Sequence, residues 1–352
     1  MSITQQSNVG RLILVYVLMS IGLAAAVCLN LMLGSEHIAL KDILAALQGE
    51  PTTHPGHAFI IQELRVPRAL AALLAGMALS VSGLQMQALF RNPLAGPYVL
   101  GINSGASLGV AIVVLGVGTT ALSFQITNQT DYVSAVCWAA LAGAGAVSFV
   151  VLLVSRHVRD SVSLLIFGLM FGYVTSGLVS TLVYFSAPEN IQSFMLWNMG
   201  SFAAVTKDEL KVMAVIVAVG LALACVMPKS LNAMMLGEDY AASMGVSLKV
   251  SRLVVLSATA ILAGGVTAFC GPIAFIGLAV PHLCRGLMNT ANQHALTPAV
   301  MLMGGLIAQI ADIVSELPGS DYTLPLNAIT VFVGAPVVIW VILRRRRMGA
   351  LT

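Results

Sequence analysis

Apolar residues in this chain come in runs too long for the core of a soluble domain. Read between charges and turn signals, ten runs emerge, at roughly 11–33, 66–89, 94–118, 132–154, 162–185, 210–227, 250–270, 273–290, 297–315 and 325–343. A helix needs about 20 such residues to cross the hydrocarbon core of a bilayer. The pattern therefore predicts an all-α polytopic membrane protein, one transmembrane domain over 1–352 with ten spans. The third run is interrupted by Gly and Pro, and the runs at 250–270 and 273–290 are separated only by Gly271-Pro272. Counts of nine and eleven thus also fit. Ala24-Ala25-Ala26 before Cys28 hints at a cleaved signal peptide. The apolar run continues through Leu33, however, and Val27 is a poor neighbour for a lipidated Cys, so 11–33 is read as a retained helix.

Composition agrees. Of 352 residues, 58% are hydrophobic and 9% charged, against about a quarter charged in a soluble domain. A soluble enzyme, a disordered chain and a disulfide scaffold are excluded on that ground. A net charge of +3 supplies no basic face for nucleic acid. The 32 glycines favour closely packed membrane helices over a barrel. The five cysteines lie in or beside apolar runs without a CxxC spacing, and read as small core residues.

Charge asymmetry orients the chain. With ten spans, Arg11, Arg91, Arg156, Arg159, Lys229, Lys249, Arg252, Arg285 and Arg344–Arg347 share one side, and Lys41, Arg65, Arg68, Lys207 and Lys211 the other, which is twelve against five. Positive residues stay inside, so both termini are expected in the cytoplasm.

The loops carry the candidate chemistry. In the polar outside loop 34–62, residues 39–48 read as a short amphipathic helix, and His54 and His57 read as solvated rather than as a metal or haem site. Arg65 and Arg68 start the second span around Pro67, either as two snorkelling arginines or as a fixed cationic pair for acidic residues of a partner. Between 82 and 106, prolines and glycines interrupt apolar sequence around Gln85, Asn92, Pro93 and Asn103. Such irregular backbone at membrane depth is tolerated inside protein or beside a cavity, so these residues either join helices or line a translocation path. In 186–208, a short helix over 191–199 carries Trp197. Within the segment 228–249, helical pieces at 230–236 and 239–244 meet at Gly237. Their apolar side (Leu231, Met234, Met235, Leu236, Ala241, Met244) calls for a docked partner. No phosphate-binding loop and no H-E-x-x-H occurs, and Asp312 is a lone acid near the end of the ninth span. The chain thus shows neither an energy source nor a catalytic group. An ion-gradient transporter would need more intramembrane acids than Asp312 and Glu316.

At this point the sequence resembles the FecCD-type permease subunits of ABC importers for ferric siderophores, haem and vitamin B12, over essentially 11–347. The resemblance is carried by Arg91-Asn92-Pro93-Leu94-Ala95-Gly96-Pro97-Tyr98-Val99-Leu100-Gly101, by Arg65-Val66-Pro67-Arg68, and by Trp197-Asn198-Met199-Gly200-Ser201. Leu236-Gly237-Glu238-Asp239 with Met244-Gly245-Val246, the stretch 271–285 and Gly334-Ala335-Pro336 complete it. It implies the type II importer fold with an inverted repeat, a dimer with itself or a homologous subunit, two cytoplasmic ATPases that bind ATP and Mg, and a periplasmic binding protein. It implies no cofactor in this chain, no catalytic site, and a place in the bacterial inner membrane. By the same resemblance Arg65 and Arg68 receive the binding protein. Leu231, Met235, Leu236, Gly237, Glu238, Asp239, Ala241, Met244 and Gly245 couple to the ATPase. Gln85, Asn92, Pro93, Asn103, Trp197, Asn198, Gly200 and Ser201 belong to the path and its gates. Family members commonly carry an arginine a few positions after Ala311-Asp312; Ser315-Glu316 occupies that stretch here and so changes the docking charge, and Thr323 is a second departure. Ferric siderophores, the commonest family cargo, are the expected substrate, with haem, cobalamin and an oxyanion as alternatives.

Overall fold

A computed structural model describes residues 3–34, 36–116, 129–158, 161–320 and 322–349. All regular structure among them is helical. The helices are α1 (Ile3–Met32), α2 (Leu40–Gln48), α3 (Pro55–Phe59), α4 (Val66–Leu89), α5 (Ile102–Val114), α6 (Gln129–His157), α7 (Ser161–Tyr184) and α8 (Pro188–Asn198). They continue with α9 (Lys207–Cys225), α10 (Pro228–Leu236), α11 (Glu238–Ser243), α12 (Leu248–Cys270), α13 (Ile276–Met288), α14 (Gln293–Glu316) and α15 (Leu326–Gly349). A π-helical turn over Ile60–Arg65 joins α3 to α4, and a 3-10 turn covers Pro97–Leu100.

Among the described residues, six stretches are long and apolar enough to cross a bilayer: Gly10–Met32, Pro55–Leu89, Tyr132–His157, Val162–Tyr184, Leu248–Cys270 and Gln293–Glu316. A seventh forms if α9 and α10, bent by 51° at their junction, count together. Three shorter apolar helices, Ile102–Val114, Ile276–Met288 and Leu326–Ile339, fall in the runs expected at 94–118, 273–290 and 325–343. The 94–118 expectation needs correction. Its helix has only 13 residues, because Pro93, Gly96, Pro97 and Gly101 hold the first third in turns. Residues 117 and 118 of that run lie outside the described residues, as do Arg159 and the side chains of Arg344–Arg347.

The chain divides into two compact units. The first comprises 1–84, 202–210 and 274–352. Here α14 packs on α1 and α13, and α15 packs on α13 and α14. A small cap precedes α4: Ile38, Ile43, Ala46 and Ile61 form its own apolar core. The amphipathic helix expected at 39–48 is α2, and its Ile43 and Ala46 face that core. The second unit comprises 85–201 and 211–273. Its centre is α6, packed against α5 and α12. Gly143 of α6 is needed there, since a Cβ would collide with the backbone carbonyl of Gly105 on α5. Small residues let membrane helices approach this closely, the packing that the abundance of glycine leads one to expect.

Candidate functional site

Three places gather the residues singled out from sequence. The first, in the first unit, lies where α4 begins. Arg65 is buried and donates from Nη1 to the carbonyls of Leu31 (2.8 Å) and Met32 (3.0 Å), and from Nη2 to the carbonyl of Glu36. It therefore caps the C-terminal end of α1, where unpaired carbonyls attract a cation. Arg68, one turn further, forks onto Asp312 of α14: Nε lies 2.9 Å from both carboxylate oxygens, and Nη2 lies 2.8 Å from Oδ1. Nη1 donates to Glu316. Asn30 on α1 donates to Asp312 (3.0 Å) and to Gln309 (2.7 Å), and Gln309 donates to the carbonyl of Ala69 (2.6 Å). Asp312 is thus the buried centre of a network over α1, α4 and α14, a correction of its reading as a lone acid. Asn30 and Gln309 gave no signal of their own, since single amides on apolar helices carry no spacing pattern.

The neighbouring cap holds a second correction. His57 is buried, not solvated. Its Nδ1 lies 2.9 Å from Asp42, and its Nε2 3.4 Å from Glu36. Asp42 also accepts from the backbone N–H (3.1 Å) and hydroxyl (2.6 Å) of Thr53. The Thr53 hydroxyl, with His57 adding to it against the cost of burial, holds the Asp42 carboxyl down at about 2. His54 stands edge-on to His57, ring centroids 4.8 Å apart.

The second place is the turn after α4, in the second unit. Arg91 takes a left-handed φ of 46° that ends the helix. Asn92 Oδ1 accepts from the N–H of Leu94 (2.9 Å), closing a local side-chain turn. Pro93 follows in that turn. The Tyr98 hydroxyl accepts from Thr267 (3.3 Å) and from the N–H of Ile273 (3.4 Å), which ties the 3-10 turn to the end of α12. Gln85 donates to the carbonyl of Ala224 (3.3 Å), and its Oε1, like Asn103 Oδ1 at the start of α5, is buried without a partner in the structure. On α8, Trp197 stacks on Phe194 (6.3 Å) and Asn198 is exposed. Gly200 adopts φ 71°, and the N–H of Ser201 donates to the carbonyl of Cys270 (2.8 Å). These eight residues are spread over α4, the turn, α5, α8 and the segment that follows α8.

The third place is the α10–α11 pair, where the expected two helical pieces meet at Gly237. Its φ of 132° is open to glycine and strained for any other residue. Leu231 (2% exposed) and Ala241 (0%) face the chain's own core, as does Met234. Leu236 (70%), Met244 (60%) and Tyr240 are exposed, with Asp239 and Gly245 beside them. Met235 is half-buried. The expectation that one apolar face needs outside cover is corrected accordingly: half of it is covered by the chain itself. Glu238 opens α11 and pairs with the buried Arg252 of α12 (3.1 Å), which also donates to the carbonyl of Val158 (3.1 Å).

Comparison with known proteins fits this geometry. The model of the FecCD transport family matches residues 22–344. The vitamin B12 import system permease protein BtuC of Shigella boydii is 35% identical over 344 residues, covering 97% of this chain and 98% of the relative. The protein of the same name from Klebsiella pneumoniae is 37% identical over 302 residues, covering 86% and 87%. A solved structure described as an inward-facing conformation of a metal-chelate type ABC transporter superposes with a TM-score of 0.80 at 26% identity, covering 94% of this chain and 98% of that one. With its long apolar helices and its signature segments folded into turns and caps, the chain is a multi-pass membrane protein that belongs to the FecCD transport family.

Proposed function

We propose that the chain is the membrane subunit of an ABC importer that moves a metal chelate from the periplasm to the cytoplasm by alternating access. The observation that supports this reading is the α10–α11 pair: a helix–Gly–helix rooted by Leu231, Ala241 and the Glu238–Arg252 pair, with Leu236 and Met244 left exposed. In this reading two cytoplasmic ATPases seat on α10–α11 and bind ATP and Mg. A second permease subunit, identical or homologous, completes the pathway. A periplasmic binding protein docks beside Arg65, Arg68 and Glu316. The chain spans the bacterial inner membrane ten times with both termini inside, and adds no chemistry of its own. Coupling then rests on the partners' different affinities for two states of this subunit. Gln85, Asn92, Pro93, Asn103, Trp197, Asn198, Gly200 and Ser201 belong to the pathway and its gates.

Cobalamin is the first cargo to test, because relatives matched over nearly the whole chain carry that name. A ferric siderophore is the second reading, supported by the wider family resemblance, ahead of haem or an oxyanion. The test is uptake of labelled cobalamin, ferric siderophores and haem in a strain that lacks this chain. Loss of one chelate, restored by the chain, supports the reading and fixes the cargo. Uptake of all of them undiminished contradicts it.

A further inference from the structure

Within the second unit, a cavity of about 550 Å³ opens between the end of α6, the start of α11 and the first turns of α12. Ser155, Arg156, Glu238, Lys249 and Arg252 supply its polar lining, and Leu248, Val250 and Leu253 its apolar wall. Three cations against one acid leave it net positive. Arg252 spends its charge on Glu238. Arg156 and Lys249 are exposed, and neither forms an ion pair with a described residue.

The position of the cavity decides what it holds. Its walls are the terminal turns of two stretches long and apolar enough to cross a bilayer, Tyr132–His157 and Leu248–Cys270, and the ends of such stretches lie at headgroup level. Val250, more than half exposed, presents an apolar surface beside the cations. Basic pockets between membrane helices at this depth recognise anionic lipid headgroups, and a phosphate accepts bidentate hydrogen bonds from arginine. We propose that this cavity binds an anionic glycerophospholipid, its phosphate held by Arg156 and Lys249 and its acyl chains lying along Leu248, Val250 and Leu253. The bound headgroup stands next to the Glu238–Arg252 pair and steadies the root of α11. The lipid site requires only that the chain lies in a membrane; its influence on coupling rests on the function proposed above.

The full-length chain, purified in detergent, is titrated with phosphatidylglycerol and with phosphatidylcholine of matched acyl chains, and bound lipid is counted by native mass spectrometry. The wild type is expected to retain phosphatidylglycerol over phosphatidylcholine. Arg156→Gln and Lys249→Gln each weaken that retention about fivefold, the worth of one surface cation, while Lys249→Arg, which keeps the charge, preserves it. Equal retention of the two lipids, or wild-type retention by the double Gln variant, overturns the proposal. So does a third arm in which inorganic phosphate takes the site and phosphatidylglycerol does not bind. If the Gln variants fail to fold, crosslinking of wild type by a headgroup-photoactivatable phosphatidylglycerol decides: label in peptides holding 155–156 and 248–253 supports the site, and label only elsewhere refutes it. Equal retention of the two lipids by a wild type that still couples to the ATPases sinks this inference alone; selective retention by a wild type that does not couple sinks only the transport reading.

Discussion

Arg68 and Asp312 are 244 positions apart in sequence and locked together in space, with Nε at 2.9 Å from both carboxylate oxygens. Both are largely buried, and α4 is fastened to α14 through them. Removing Asp312 leaves the largely buried Arg68 with Glu316 alone, and losing one partner of a buried pair costs up to about 3–5 kcal/mol. Asp312→Ala is therefore expected to lower the thermal unfolding temperature in detergent sharply. Asp312→Asn, which keeps a hydrogen-bond acceptor, does less damage. Equal and small effects of both would show that the network is not structural.

Glu316 shares Arg68 with Asp312. Glu316→Arg replaces the acid that the partner's contact on this side is proposed to match, and is expected to lower the affinity for the periplasmic binding protein. Surface plasmon resonance against the reconstituted chain checks this, with the unfolding temperature recorded alongside. A raised or unchanged affinity removes Glu316 from the docking surface.

The α10–α11 pair separates stability from coupling. Leu231 is buried and Leu231→Ala costs about 2–5 kcal/mol. Leu236→Asp and Met244→Asp change exposed positions and shift stability by no more than about 0.5 kcal/mol, yet are expected to abolish copurification of the ATPase subunits. Retained copurification by the double variant would move the coupling surface elsewhere.

The cap is expected to respond to acid. Asp42 sits at about 2, below its usual 3.8, because the Thr53 hydroxyl and then His57 favour its charged form. A depressed carboxyl contributes stability above its unfolded value and loses it as pH falls through the folded one. Amide exchange over 40–48 and 53–57, corrected for intrinsic rates, is thus expected to accelerate between about pH 4 and pH 2, and Asp42→Asn to flatten that dependence. Protection that stays constant over this range would leave Asp42 without a role in holding the cap.

Helix packing gives a further check. A side chain at Gly143 meets the carbonyl of Gly105, so Gly143→Val is expected to cost about 1–3 kcal/mol by overpacking. A wild-type unfolding temperature would contradict the crossing of α5 and α6.

Sequence carried the long helices because a crossing needs an uninterrupted apolar run, and α1, α6, α7, α12 and α14 supply one. It carried the Gly237 joint for a related reason, since two short polar-flanked pieces around a glycine leave few alternatives. It misplaced 94–118, where hydropathy is high but Pro97 and Gly101 forbid a continuous helix. The ligand relations were the least legible. Asp312 acquires Arg68 and Asn30, and His57 acquires Asp42 and Glu36, only when distant segments fold together. No spacing in the chain announces either group. Likewise Leu231 and Leu236 are equally apolar in sequence, and only packing tells which one is left for a partner.

Reconstitution into proteoliposomes, with and without the ATPase subunits, tests the central claim most directly. Uptake of the labelled chelate is expected only when the ATPases are present with ATP and Mg on the α10–α11 side, and to vanish with Leu236→Asp and Met244→Asp. Uptake by this chain alone, driven by an ion gradient, would contradict it and make the protein a secondary transporter.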